Sequence, residues 1–213
     1  MTKIYIIRHG NSMSNVEKTF TGHIDSPLSN LGKIQAEKVC DFVVDNLHVD
    51  KIYSSDLTRA YNTVLPLAKK LNLEIIKNKG LREIYGGKWE GEIFADLPTK
   101  YPKDFSVWQK TPWDAVCTGG ESYVQATERF IKSLSKIAEE NLGKSIVVAT
   151  HGGILRSFQC VAMGKPLTEM DKISYVINAS VSEVNYSEGK FEWVKCFNTD
   201  YLDGLVSEMP KGI

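Results

Sequence analysis

Two apolar runs, each ending in a histidine followed by glycine, constrain this chain more than any other feature. The first is Lys3-Ile4-Tyr5-Ile6-Ile7-Arg8-His9-Gly10, and the second is Ser145-Ile146-Val147-Val148-Ala149-Thr150-His151-Gly152-Gly153. β-Branched runs without polar alternation predict strands buried on both faces. Each histidine then lies at the carboxyl end of a strand, where open α/β sheets bind their ligands.

Strand and helix patterns alternate through the rest of the chain. Residues 11–28 are polar, contain Gly22 and Pro27, and predict a loop with room for one short helical turn. Ser29 has the character of an N-cap ahead of Leu31, Ile34, Val39, Phe42, Val43 and Leu47 at helical spacing. Residues 49–53 predict a second strand. Ser54-Ser55-Asp56 then offers caps for a helix running through Arg59 toward Leu71, which Pro66 should kink or split. Residues 73–76 are a third apolar run. Residues 121–141 form the clearest helical pattern, with two overlapping capping boxes, Thr118 to Glu121 and Ser122 to Gln125, competing for its start. A strand over residues 146–149 and a helix over 153–163 follow, and residues 181–186 and 191–197 flank a turn as a hairpin.

Between residues 84 and 120 periodicity fades while Trp89, Phe94, Tyr101, Phe105, Trp108 and Trp113 accumulate among prolines. A linker does not carry that much apolar surface, so this segment predicts an insertion or cap of short helices. The whole pattern predicts one domain over residues 1–213. Its class is α/β: a three-layer α/β/α sandwich with a mostly parallel sheet, an antiparallel edge and the helical cap insertion. Strand order stays open.

The charges balance, with 26 basic and 26 acidic side chains, so nothing favours wholesale nucleic-acid or membrane binding. No apolar run approaches the roughly 20 residues that span a bilayer, and the first residues lack a signal-peptide layout. A cytoplasmic protein is expected. Cys40, Cys117, Cys160 and Cys196 are scattered with no CxxC or Cys/His pattern, which predicts reduced thiols. No cluster of carboxylates or histidines at ligand spacing points to a metal, and no cofactor is expected.

The octet Arg8-His9-Gly10-Asn11-Ser12-Met13-Ser14-Asn15 resembles the opening motif of the histidine phosphatase superfamily, also called the phosphoglycerate mutase-like family, and the resemblance extends over the whole chain. It implies the same three-layer sandwich and places the nucleophile at His9. Neutral imidazole can accept phosphorus, and nearby guanidinium groups favour its neutral form. Tyr53-Ser54-Ser55-Asp56-Leu57-Thr58-Arg59-Ala60 resembles the family's second phosphate-arginine motif. Arg8, Arg59 and His151 would then supply positive charge from three elements to the oxygens of a phosphoryl group. Helix amides after Gly152 would favour the same anion.

Glu83 matches the family's acid in Leu81-Arg82-Glu83-Ile84, with Glu90 and Glu92 as competitors. The resemblance also puts Asn15, Thr21 and Gly22 against substrate, with Ser12 holding the loop. His23 and His48 are read as structural or surface residues. The mutases of this family hold a second anion with cap arginines, whereas this chain has none between Arg82 and Arg129, only Lys88, Lys100, Lys103 and Lys110. Ile84-Tyr85-Gly86-Gly87-Lys88-Trp89-Glu90-Gly91 also looks more like the phosphatase branch. The expected function is a metal-independent phosphomonoester phosphatase working through a phosphohistidine on small organic phosphates. The alternatives are a cofactor-dependent phosphoglycerate mutase and a non-catalytic regulator that binds phosphorylated ligands. A homodimer would use the cap aromatics or the edge of the terminal hairpin.

Overall fold

In a computed structural model, residues 1–197 and 199–207 are described; the rest of the expected 1–213 span lies outside the described residues. The chain runs β1 (Thr2–Arg8), α1 (Met13–Glu17), α2 (Asn30–Asn46), β2 (Lys51–Ser54), α3 (Thr58–Leu71) and β3 (Ile75–Lys77). It continues through α4 (Leu97–Lys100), α5 (Pro102–Lys110), α6 (Tyr123–Glu139), β4 (Ser145–Thr150), α7 (Gly152–Ala162), β5 (Val181–Ser187) and β6 (Lys190–Cys196). The sheet order is β3-β2-β4-β1-β5-β6. Strands β3, β2, β4 and β1 pair parallel, and β5 joins β1 antiparallel with β6 closing the hairpin.

The two runs that opened the sequence lie side by side, Ile4 to Arg8 against Ile146 to Thr150. Their alternate side chains feed two cores. Ile4, Ile6, Ile146 and Val148 pack on the α6 and α7 side, while Tyr5, Ile7, Val147 and Ala149 face α2 and α3. Burial of each large aliphatic contributes about 1.5–3 kcal/mol, which is why these strands carry no polar alternation. From β1 the chain leaves to α2 on one face, and from β4 it leaves to α7 on the other. Their adjacent carboxyl ends therefore form the switch point of the sheet, where backbone diverges and a crevice opens.

Several local expectations need correction. Ser54, Ser55 and Asp56 do not cap the first turn of α3: Ser55 Oγ accepts from the N–H of the N-cap residue, Leu57, at 3.4 Å, and it is Asp25 that accepts from the Thr58 backbone N–H at 2.7 Å and from its hydroxyl at 2.8 Å. Asp56 is occupied by Arg82, at 2.7 and 2.6 Å. Helix α3 is not split at Pro66 but runs through it. On α2 Val39 and Val43 are buried as their spacing predicts, but Gln35 and Ala36 share their face while Ile34 is 49% exposed. Of the two capping boxes before α6, Ser122 with Gln125 is the one that forms.

Residues 84–120 fold as short 3-10 turns with α4 and α5. Their aromatics stack on α6, Trp108 with Tyr123 at 4.9 Å and Trp89 with Trp108 at 5.4 Å between ring centroids. Trp89, Phe105 and Trp108, among the aromatics offered above as a dimer surface, are buried within the chain itself. All four cysteines are free. No helix among the described residues is long and apolar enough to cross a membrane.

Candidate functional site

His9 sits one residue beyond β1, its backbone N–H donating to Thr150 O at 2.9 Å, and its ring lies 5.2 Å from that of His151. Its Nδ1 is 2.7 Å from Gly10 O. A carbonyl only accepts, so Nδ1 carries the proton and the Nε2 lone pair is left for a reacting atom. Burial, then the charges of Arg59 and Arg8, hold the imidazole well below its ordinary pKa, so it is neutral at neutral pH. The loop after it is fixed by Gly10 N–H to Thr63 Oγ1 and Asn11 N–H to Gln35 Oε1, both 2.8 Å. Asn178 Nδ2 donates to His9 O at 2.9 Å.

Two arginines flank His9. Arg8 Nη1 donates to Val176 O at 2.6 Å. Gly152 lies beneath its guanidinium, where an added Cβ would come 2.8 Å from Arg8 Cζ. Gly152 thus makes room for Arg8, and the α7 residue on the pocket wall is Gly153. Arg59, 2% exposed, donates from Nε to His151 Nδ1 at 3.1 Å, from Nη1 to Ile24 O at 2.9 Å and from Nη2 to Gly22 O at 2.7 Å. Three of its five N–H groups are engaged, which leaves two for a ligand. Burial pushes its pKa down to about 10, so it stays protonated.

His151 departs from the sequence expectation. Its Nδ1 accepts from Arg59, and its Nε2–H donates to Ser55 Oγ at 2.9 Å. Complete burial first, then the Arg59 and His9 charges, push its pKa well down. It is a neutral acceptor behind Arg59, so the charge expected of it is left to Arg8 and Arg59.

The Glu83 carboxylate enters from the loop after β3. Its Oε2 accepts from Gly153 N–H at 2.8 Å, and its Oε1 from Ile154 N–H at 2.7 Å and Ile84 N–H at 2.9 Å. The first amides of α7, expected to hold a substrate anion, are therefore occupied by Glu83. Both lone pairs of Oε1 are taken, whereas Oε2 keeps one open for a proton. The competing glutamates point elsewhere: Glu90 Oε1 accepts from His23 and Gly86 N–H, and Glu92 pairs with Lys100.

These groups converge on a cavity of about 130 Å³ whose lining includes Arg8, His9, Arg59 and Glu83. Asn15, Thr21 and Gly22 lie on its wall. Asn15 Oδ1 accepts from Ser12 N–H at 3.0 Å and from Asn178 Nδ2 at 3.3 Å, which turns its amide nitrogen the other way. Ser12 closes a capping box on α1 with Asn15, the loop-holding role expected of it. Sequence reasoning missed Lys18 and Tyr175, which also line the cavity, and Asn178. Lys18 makes no ion pair among the described residues, and the lysines of the 84–120 segment lie outside the cavity. His23 donates from Nε2 to Glu83 O at 2.8 Å, and His48 lies exposed beside Asp50. Among the described residues no group of three or more His, Cys, Asp or Glu is placed to hold a metal ion.

Comparison with known proteins agrees with this geometry. The family model of the histidine phosphatase superfamily (branch 1) matches residues 4–199. Phosphoserine phosphatase 1 of Hydrogenobacter thermophilus is 32% identical over 213 residues, covering 100% of both chains. A metal-independent phosphoserine phosphatase of Arabidopsis thaliana is 31% identical, covering 90% of this chain and 79% of its own. Among solved structures, Bacillus stearothermophilus YhfR superposes with a TM-score of 0.85 at 25% identity, covering 91% of this chain and 95% of its own.

Proposed function

The chain belongs to the histidine phosphatase superfamily and is a phosphatase of small phosphomonoesters, and from that premise we propose that it works through a phosphohistidine formed at His9. The observation that carries this reading is the Nδ1–H to Gly10 O bond, which leaves a neutral ring with its Nε2 lone pair in a cavity beside two guanidiniums.

Arg8 and the two unengaged N–H groups of Arg59 bind the phosphoryl oxygens and stabilise the charge that spreads over them as the bond to the leaving oxygen lengthens. The His9 Nε2 lone pair forms the new bond to phosphorus, and the ester oxygen departs with the bonding electrons. Protonated Glu83 gives that oxygen its proton from Oε2. Because Nδ1–H stays on Gly10 O, the phosphorylated ring is positively charged, which keeps the P–N bond open to water. Glu83 then takes a proton from the attacking water, phosphate leaves, and His9 returns to its neutral form.

The segment 84–120 serves as a cap: Phe94 and Trp108 enclose the leaving-group side of the cavity. The third cation there, Lys18, suits a leaving group bearing a carboxylate. Together with the names of the two relatives above, this supports phosphoserine, or a phosphate ester close to it, as substrate. A mutase reading is disfavoured because, among the described residues, no arginine besides Arg8 and Arg59 lines the cavity.

The test is phosphate release by the purified protein from a panel of phosphomonoesters with EDTA present. Release that resists EDTA, favours phosphoserine and vanishes in His9→Ala supports the reading. Release unchanged in His9→Ala would overturn it.

A further inference from the structure

Every main-chain carbonyl from Gly80 to Glu83 is held by a side chain of another element rather than by a sheet ladder. Leu81 O accepts from Thr150 Oγ1 at 2.8 Å. Arg129 on α6 reaches the other three: Nη1 donates to Gly80 O at 3.0 Å and Arg82 O at 3.1 Å, and Nη2 donates at 3.0 Å to Glu83 O, which also accepts from His23 Nε2 at 2.8 Å. Its remaining donors meet Glu121, Nε to Oε1 at 2.8 Å and Nη2 to Oε2 at 2.7 Å. All five N–H groups of one guanidinium are engaged, in a fork that only arginine offers.

The surroundings are shaped to allow this. Gly80 sits so close to α6 that a Cβ there would fall 1.7 Å from Ser133 Oγ, one turn beyond Arg129. Glu121 in turn accepts from Tyr85 N–H at 2.9 Å and donates its own N–H to Tyr85 O at 2.8 Å. Although burial opposes its charge, the bonds from Arg129 and Tyr85 hold its carboxyl below the usual glutamate range. The Arg129–Glu121 pair therefore grips the backbone on both sides of Glu83 without lining the cavity itself.

We propose that Arg129 is a positioning residue for the proton donor, fixing the backbone from which the Glu83 carboxylate reaches both α7 and the leaving group. This rests on the reading of Glu83 as that donor. An error of about 1 Å in placing a reacting group can cost on the order of a hundredfold in rate. The loss should fall on substrates whose leaving group needs a proton.

The experiment measures kcat/KM for β-glycerol phosphate and for p-nitrophenyl phosphate, whose leaving group needs little protonation, in wild type, Glu83→Gln, Arg129→Lys, Arg129→Gln and the double variant Glu83→Gln/Arg129→Lys. Both substrates are assayed on one sample, so their ratio is independent of the fraction folded. Lysine keeps a charge for Glu121 but cannot span three carbonyls, so Arg129→Lys should retain more alkyl-phosphate activity than Arg129→Gln. We expect Arg129→Lys to lose about ten- to a hundredfold on the alkyl phosphate and little on the aryl one. In the Glu83→Gln background it should cost almost nothing further. Equal losses on both substrates, or full additivity with Glu83→Gln, would overturn the role of Arg129. If Glu83→Gln alone lost both substrates equally, the donor assignment itself would fall, and this proposal with it.

Discussion

Lowering the pH from 6.5 to 5.5 should destabilise the folded chain by about 2 kcal/mol through His9 and His151 alone. Both rings are buried and neutral, with pKa values held well below the ordinary 6.5. In the unfolded chain they titrate near that value, so below it the unfolded state binds more protons and stability falls with pH. The stabilisation is complete above about pH 6.5 and is lost progressively toward the depressed folded values. For one imidazole that stays neutral when folded, the step from pH 6.5 to 5.5 is worth about 1 kcal/mol. His23, half-buried and also depressed, acts in the same sense. The depressed carboxylates Asp50, Asp56 and Glu121 lose their contributions only as pH falls through the acid range of their ordinary values, 3.8 for the aspartates and 4.5 for the glutamate, outside this window. The assay is urea unfolding at the two pH values for wild type, His9→Gln and His151→Gln. In Tm the wild-type drop corresponds to about 4–8 °C. Each variant should lose about 1 kcal/mol of this pH-dependent drop. A wild-type stability that does not change over this interval, or a His9→Gln variant with the full dependence, would refute the claim that the nucleophile is stored neutral.

Two further predictions follow from single contacts. Gly152→Ala places a Cβ 2.8 Å from the Arg8 Cζ and Nε atoms while Val176 O holds the other end of that guanidinium, so Arg8 must shift. Loss of one charge-assisted bond to phosphate, about 1.5–3 kcal/mol, should cut kcat/KM roughly ten- to a hundredfold with inhibition by inorganic phosphate weakened in parallel. Unchanged phosphate inhibition would remove Arg8 as the ligand. Lys18→Ala should raise KM for phosphoserine by up to about fivefold, the worth of one exposed charge pair, and leave p-nitrophenyl phosphate unaffected. Equal effects on both would show that Lys18 reads no carboxylate.

What was legible in the sequence follows from which interactions are local. Buried β-branched runs announce β1 and β4, and a histidine at the end of each announces the crevice. The α6 start is readable to within a turn, because Ser122 and Gln125 cap locally while Thr118 and Glu121 offer the same spacing just before them. The α3 start was not, because its capping carboxylate, Asp25, lies 33 residues upstream across a loop. The Arg129 clamp has the same cause: its acceptors at Gly80, Arg82 and Glu83 are backbone atoms 46 to 49 residues away and leave no mark in composition or period. The charge on His151 was misjudged because only the packed site reveals Arg59 and Ser55 occupying its two nitrogens. Likewise the α7 amides looked open to an anion until Glu83 was seen to fill them.

The central claim is covalent, and the direct measurement is rapid quench of the enzyme turning over phosphoserine, into alkali where phosphohistidine survives, followed by mass spectrometry of the peptides. The account predicts one phosphoryl group on His9 that forms and decays at rates consistent with turnover, absent in His9→Ala. A phosphoryl group on another residue, or turnover in His9→Ala, would contradict it.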